Sequence, residues 1–156
     1  MATEIERKFL VISDGWKKGN PPGCFYRQGY LSADLHSVIR VRTSAGRGWI
    51  TIKKKKGNLA RWEYEYEIPL NDAREMMDEL CRKPLIEKVR YRIICKDRTW
   101  EIDVFSGANQ GLVVAEIELD AEDGIFAKPP WLGEEVTHDP RYLNVNLALH
   151  PFCRWE

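Results

Sequence analysis

Apolar and polar residues alternate with a period of two along most of this 156-residue chain. Such alternation is typical of β-strands that bury one face. It predicts eight strands, at residues 4–12, 24–31, 37–43, 48–54, 61–69, 86–95, 99–105 and 112–119. The short sequences SAGRG after the third strand and KDR after the sixth indicate antiparallel hairpins.

Two segments interrupt the alternation with helical spacing. The first follows Asn71, a favourable N-cap residue, and its apolar positions lie on one face as far as Cys81 before Pro84 ends it. The second follows Asp139, has Pro140 in its first turn, and is apolar on more than one side. We therefore expect one amphipathic helix and one that is well buried.

These elements predict a mainly β, α+β fold. The favoured architecture is a closed eight-stranded antiparallel β-barrel with helices packed outside, and a two-sheet sandwich is the alternative. A chain of 156 residues with 44% hydrophobic content is long enough for one core, so residues 1–156 are predicted to form a single domain.

The polar face of nearly every predicted strand is ionic, and neighbouring charges on one face repeat the same sign. Solvated faces usually mix Thr, Ser, Gln and Lys instead. The same-sign groups are Glu4 and Glu6; Arg40 and Arg42; Glu63, Glu65 and Glu67; Lys88, Arg90 and Arg92; Glu101 and Asp103; and Glu116 and Glu118.

Two arrangements would relieve the repulsion within these groups. Same-face neighbours on a strand are about 7 Å apart, so like charges there need an opposite charge between them. Adjacent strands of opposite sign could pair on a solvated outer surface, which is the usual interpretation of one alternating strand. Alternatively, the charges could line a barrel interior that holds a metal–polyphosphate complex.

Overall composition excludes some functional classes. The chain has 24 basic and 24 acidic residues, and this balance argues against binding of a nucleic-acid duplex. Neither a signal-peptide pattern nor an apolar run of membrane length occurs, which predicts a cytoplasmic protein with no membrane partner. Its four cysteines are then expected to be reduced thiols: Cys24, Cys81, Cys95 and Cys153.

The first strand, Glu4-x-Glu6-x-Lys8, resembles the ExExK signature of the CYTH superfamily, the triphosphate tunnel metalloenzymes. Further segments similar to this family follow in order: RQGYL, VIRVR, TIK, the E-x-E pair at Glu63 and Glu65, EKVRYR, WEIDVF, AEIEL and PPWLGEEVTHDPRYLN. ExExK alone is a weak pattern, whereas the ordered set is specific. The chain resembles most closely the short, single-domain bacterial branch.

The resemblance implies an eight-stranded tunnel with an ionic interior that binds a triphosphate with Mg²⁺ or Mn²⁺. It implies substrate-binding roles for Lys8, Arg40, Arg42, Lys53, Lys88, Arg90 and Arg92, with Lys8 and Lys88 as the catalytic residues. It also implies substrate contact by Tyr30, for which a packing or hairpin role is the alternative. It implies metal-ligand roles for Glu4, Glu6, Glu63, Glu65, Asp103, Glu116 and Glu118. The run Lys53–Lys56 departs from the family pattern, and we assign Lys54–Lys56 to a solvated hairpin end.

The expected activity is metal-dependent hydrolysis of a terminal phosphoanhydride, with inorganic tripolyphosphate as the favoured small-molecule substrate. Alternatives on the same fold are a class IV-type adenylate cyclase, a thiamine triphosphatase and a non-catalytic polyphosphate-binding module. A lipocalin-type barrel, with its apolar face inside, is a further alternative. The expected assembly is a monomer or homodimer.

Overall fold

The computed structural model of the protein describes residues 3–34 and 37–155. Its strands are β1 (Thr3–Val11), β2 (Gly23–Asp34), β3 (Ser37–Ser44), β4 (Arg47–Lys56), β5 (Ala60–Ile68), β6 (Ile86–Cys95), β7 (Arg98–Phe105), β8 (Val113–Glu118) and β9 (Leu132–Glu135). Its α-helices are α1 (Leu70–Glu79) and α2 (Asn144–Leu149). Short 3₁₀ turns lie at Gly15–Lys17, Gly107–Asn109, Pro140–Tyr142 and Phe152–Arg154.

Strands β1 to β8 form a closed antiparallel barrel in the order β5-β4-β3-β2-β6-β7-β8-β1, and pairing of β5 with β1 closes the ring. All eight predicted strands are present, and their ends lie within three residues of the predicted ends. The closed barrel is therefore confirmed, and the two-sheet sandwich is wrong.

The sequence pattern did not predict β9, which pairs with the second half of β1. Its four residues are too few to display a clear alternation, so the strand exists because of tertiary contacts. The Arg7 side chain forms a bidentate ion pair with Glu135, and the Val136 N–H donates to the Lys8 carbonyl at 2.8 Å. These contacts hold the segment after β9 against the barrel.

Both helices begin elsewhere than predicted. Helix α1 has Pro69 rather than Asn71 as its N-cap, because the Pro69 carbonyl accepts the first helical hydrogen bond, from Ala73 N–H at 3.0 Å. The second predicted helix is divided at Leu143, whose extended backbone (φ −66°, ψ 133°) separates a 3₁₀ turn from α2. Among the described helices, none combines the length and apolar character needed to span a membrane.

Helix α1 packs on the outside of the barrel against β2, β3 and β4. Its buried residues Ala73 and Met77 contact Val41, and Gly48 lets the helix approach closely, since a Cβ there would lie 2.7 Å from the Ala73 Cβ. Irregular chain covers the opposite outer face, where Trp131 meets Trp100 edge-to-face with ring centroids 5.6 Å apart. The four cysteines are all free, as predicted.

Helix α2 closes one end of the barrel interior. Here the inward-facing positions are apolar rather than ionic, and they pack against Val145, Leu147 and Ala148 of α2. The inward-facing residues of this layer are Tyr30, Val38, Ile86, Phe105, Leu112 and Val114. The interior thus has an apolar layer at the α2 end and an ionic cavity beyond it.

This packing predicts that Leu147→Ala lowers the free energy of unfolding by about 3 kcal/mol, because Leu147 is fully buried and truncation leaves a cavity. Leu149→Ala in the same helix is the control, since Leu149 is 39% exposed, and should cost less than about 1 kcal/mol. Urea unfolding measures both. Equal losses would contradict the seating of α2.

The Arg7–Glu135 ion pair predicts a pH-dependent contribution to stability. The hydrogen bond from Arg7 lowers the pKa of Glu135 from 4.5 to about 2, so the charged pair stabilises the fold above pH 4.5. That contribution is lost as the pH falls toward 2. Glu135→Gln should therefore cost roughly 1 kcal/mol at pH 7 and progressively less below pH 4.5.

Urea unfolding at several pH values measures this trend. Glu134→Gln, at a neighbouring exposed carboxylate, is the control and should change the free energy of unfolding by less than about 0.5 kcal/mol at pH 7. A cost for Glu135→Gln that stays constant from pH 7 to pH 3 would contradict the role of the ion pair.

Candidate active site

The ionic faces of the strands point into the barrel, where they surround a cavity of about 200 Å³. Eight basic and five acidic side chains line it among the described residues: Lys8, Arg40, Arg42, Lys53, Arg61, Lys88, Arg90, Arg92, Glu6, Glu63, Glu65, Glu101 and Glu116. The interpretation with these charges on a solvated outer surface is therefore wrong, and so is the lipocalin-type barrel. Below, this space is called the inner cavity.

Two arginines of β3 share one carboxylate. Arg40 Nη2 donates to Thr51 Oγ1 at 3.1 Å and to Glu65 Oε2 at 3.3 Å, and Arg42 Nη2 donates to the same oxygen at 3.4 Å. The Nε atoms of both arginines are buried and find no acceptor among the described residues. A buried donor without a partner is costly, so these guanidinium groups are poised to bind an oxyanion.

Positive charge also predominates around Arg42. Burial, followed by the neighbouring charges of Arg40 and Arg90, lowers the pKa of Arg42 to about 10. The Tyr26 ring lies beneath both Arg42 and Arg90, with guanidinium carbons 4.8 and 5.2 Å from the ring centroid. Tyr26 thus lies between Arg90, which Asp103 neutralises, and Arg42, which shares the Glu65 carboxylate with Arg40.

Asp103 of β7 holds two cations of β6. Its carboxylate accepts from Lys88 Nζ at 2.7 Å and from Arg90 Nε and Nη2 at 2.7 and 2.9 Å. Burial opposes ionisation, but the charges of Arg90 and Lys88 hold the pKa of Asp103 well below its ordinary value. Burial also lowers the pKa of Lys88 to about 7, against the attraction of Asp103. Asp103 therefore fixes the positions of both basic side chains.

Lys8 and Lys88 both contact the C-terminal segment. Lys8 Nζ donates to the Tyr142 carbonyl at 3.1 Å and lies 3.4 Å from Glu116 Oε1. Burial acts to lower the pKa of Lys8, but the charges of Glu116, Glu6 and Asp103 together outweigh it and the pKa is raised. Lys88 Nζ donates to Asn144 Oδ1 at 3.0 Å. The chain that closes the barrel end thus orients the two predicted catalytic lysines.

Carboxylates of β1, β7 and β8 lie close together on the inner face. Glu6 and Glu118 are cross-strand partners, and so are Glu101 and Glu116. Burial, and then the charges of Glu4, Glu6 and Glu101, raises the pKa of Glu118. Like charges placed directly opposite each other destabilise a sheet unless a cation lies near them.

Two further predicted substrate-binding residues, Lys53 and Arg92, form ion pairs with carboxylates. Lys53 Nζ lies 3.0 Å from Glu4 and 3.2 Å from Glu63, and so bridges these two carboxylates. The Arg92 side chain is 60% exposed at the edge of the cavity and lies 3.2 Å from Glu101. Lys54, Lys55 and Lys56 are exposed at the end of β4.

Tyr30 is buried in the layer next to the inner cavity. Its hydroxyl accepts from Gln28 Nε2 at 3.1 Å, and burial raises the pKa of the phenol. Gln28 also donates to Asn144 Oδ1 at 3.3 Å, so Tyr30 is linked to α2 through one amide. This position suits either packing or contact with a ligand.

The carboxylate set suits a hard divalent cation. Among residues 3–34 and 37–155, no three His, Cys, Asp or Glu side chains converge into a preformed ion site. Mg²⁺ does not require one, because it usually keeps several waters and binds one or two carboxylates together with substrate phosphates. The facing pair Glu6 and Glu118 provides oxygen ligands whose mutual repulsion a cation would relieve.

Two residues that line the inner cavity could have been predicted from strand alternation, but were not assigned to the site. Arg61 lies two positions before Glu63, and Glu101 two before Asp103, so each shares an inward face with a predicted site residue. Asn144 could not be predicted in this way, because its place beside Lys88 depends on the tertiary position of α2.

Comparisons with known proteins agree with this geometry. The CYTH domain family model matches residues 2–149. A protein of Acetivibrio thermocellus named inorganic triphosphatase is 49% identical over 156 residues, covering 100% of this chain and 99% of the relative. Another of the same name, from Nitrosomonas europaea, is 40% identical over 153 residues, covering 94% and 97%.

A solved crystal structure of an inorganic triphosphatase is 38% identical, has a TM-score of 0.69 and matches 96% of each chain. The family match spans nearly all of the chain, and both named relatives align along almost their whole length. The protein with this ionic inner cavity belongs to the CYTH domain family.

Proposed function

We propose that this protein is a divalent-metal-dependent inorganic triphosphatase, which hydrolyses a terminal phosphoanhydride of tripolyphosphate with Mg²⁺ or Mn²⁺. The observation that carries the proposal is the pair of buried Nε donors on Arg40 and Arg42 in a cavity with three more basic than acidic lining residues. The names of the relatives at 49% and 40% identity support the same activity.

The basic side chains hold the triphosphate in this proposal. A phosphate oxygen beside Arg40 and Arg42 would accept from the unpaired Nε–H groups and offset the repulsion between the guanidinium groups. Lys53, Arg90 and Arg92 extend the same surface along the cavity. Lys8 and Lys88, fixed by Tyr142, Asn144 and Asp103, stabilise the negative charge that develops on the phosphate groups during cleavage.

The carboxylates hold the ion. Glu6, Glu116 and Glu118 are the first candidates, because Glu4, Glu63, Glu65 and Asp103 accept from basic side chains at shorter distances. Glu4, Glu63, Glu65 and Asp103, which were also predicted to be metal ligands, would bind an ion only if a bound substrate displaced the basic side chains paired with them. When bound, a divalent ion neutralises phosphate charge and lowers the pKa of a coordinated water.

No covalent enzyme intermediate is part of the proposal. The described lining of the inner cavity contains no Ser, Thr, Cys or His side chain that could attack phosphorus. In this proposal water is the nucleophile, with the carboxylates and lysines of the lining already in ion-pair or metal-binding roles, and the residues of the chain orient the substrate and balance its charge. The cytoplasmic location, the single domain and the monomer-or-homodimer assembly stay predictions.

The deciding experiment measures phosphate release from tripolyphosphate, ATP and thiamine triphosphate, each with Mg²⁺, Mn²⁺ or a chelator. We expect the highest kcat/KM for tripolyphosphate with a metal, and loss of turnover with the chelator. Cyclic AMP is assayed in the same ATP reactions, because a cyclase would release pyrophosphate instead. Binding without turnover of any substrate would overturn the proposal in favour of a binding module.

Removal of one carboxylate should abolish turnover. Glu6→Ala and Glu116→Ala are each expected to lower kcat by about 100-fold or more at ordinary Mg²⁺ concentrations, because charge stabilisation on the phosphates is lost. Lys54→Ala is the control and should retain full activity, since Lys54 is exposed and outside the cavity lining. Near wild-type kcat in both glutamate variants would refute the metal assignment.

The positioning role of Asp103 predicts a large stability effect. Asp103→Asn leaves Lys88 buried without its carboxylate partner and Arg90 with only Glu101, 3.4 Å away, so the free energy of unfolding should fall by about 3 kcal/mol or more. Asp139→Asn removes one carboxylate of an exposed pair with Arg141 and should cost about 1 kcal/mol or less. Chemical denaturation measures both, and similar costs would contradict the role of Asp103.

A further inference from the structure

A second pocket of about 240 Å³ adjoins the inner cavity between the β4–β5 hairpin and the segment 137–143. The two spaces share four lining residues: Glu6, Lys8, Arg61 and Leu143. We call the second space the side pocket; its own polar lining consists of Lys55, Asn58, Thr137 and His138. A ligand in the inner cavity could therefore extend past Lys8 into the side pocket.

The side pocket contains two uncompensated cations. Lys55 and Arg61 are cross-strand partners on β4 and β5, in the same inward phase as Lys53 and Glu63. Neither takes part in an ion pair with any residue that the structure describes. The other cross-strand neighbour of Arg61 is Glu4, whose carboxylate is bound to Lys53.

Like charges placed directly opposite each other on neighbouring strands destabilise a sheet. The arrangement is relieved if an anion lies between Lys55 and Arg61, where a guanidinium fork and an ammonium group could share phosphate oxygens. The lysine run offers a comparison within the chain, because Lys54 and Lys56 point to the outer face, with Lys56 Nζ 4.0 Å from the Trp62 ring centroid. Only Lys55 of these three lines the side pocket.

We propose that Lys55 and Arg61 form an outer anion site that binds the second charged end of inorganic tripolyphosphate and so selects it over esterified triphosphates. This specificity role rests on the proposed function. An inorganic triphosphate ends in a doubly ionisable phosphate at both ends, whereas a nucleoside triphosphate carries a sugar and base at one end. The described lining of the side pocket includes no Phe, Tyr or Trp on which a base could stack.

The test compares binding and turnover of tripolyphosphate and ATP in Lys55→Ala, Arg61→Ala and the matched control Lys54→Ala. We expect Lys55→Ala to lower the kcat/KM for tripolyphosphate about 10-fold and the kcat/KM for ATP less than about 2-fold. Because Arg61 also lines the inner cavity, Arg61→Ala should lower both values, with a loss about 10-fold larger for tripolyphosphate than for ATP. Isothermal titration calorimetry in chelator should show a similar 10-fold rise in Kd for tripolyphosphate. Lys54→Ala should match wild type throughout.

Arg61→Lys keeps the positive charge and should recover part of the tripolyphosphate affinity that Arg61→Ala loses. Circular dichroism melting identifies any variant that fails to fold. If Lys55→Ala does not fold, Lys55→Gln, at the same exposed position, is used instead. Equal losses for tripolyphosphate and ATP would overturn the specificity role, as would no loss for either. Absence of wild-type turnover would refute the proposed function alone, because calorimetry still tests the outer anion site.

Discussion

Charge compensation inside the barrel is the constraint on which the rest of the structure depends. Opposite charges away from bulk water attract strongly, and like charges repel as strongly. Strand register supplies much of the compensation, because it places Lys8 opposite Glu116, Arg90 opposite Asp103 and Lys53 opposite Glu63. A slip of one residue in any of these pairs would turn a row of charges outward, so the ion pairs and the register reinforce each other.

Apart from the outer anion site proposed above, compensation is incomplete in two places, and they carry opposite signs. Arg40 and Arg42 share Glu65 and keep unpaired donors, whereas Glu6 faces Glu118 across β1 and β8. A ligand that combines a polyanion with a divalent cation would satisfy both regions at once. The protein thus carries strain in its free state that such a ligand would relieve, which is a common relation between stability and function.

The eight strands and their inward faces were predictable because a period of two assigns every side chain to one face. The family signature then selected the inward orientation of the charges, which alternation alone left open. Strand β9, the division at Leu143 and the contact of Asn144 with Lys88 were not predictable, because each depends on tertiary packing rather than local pattern. The pairing of Lys55 with Arg61 required the β4–β5 register, which the sequence does not specify.

The apolar layer that packs against α2 also limits how a ligand can enter and leave the barrel. Because Val145, Leu147 and Ala148 block one end of the barrel, a ligand cannot enter at one end and leave at the other. If the proposed hydrolysis takes place beside Lys8 and Lys88, its products must leave by the route through which the substrate enters or through the side pocket next to segment 137–143. In the proposed enzyme, product release and binding of the next substrate would then use the same space, so bound product would block the next turnover.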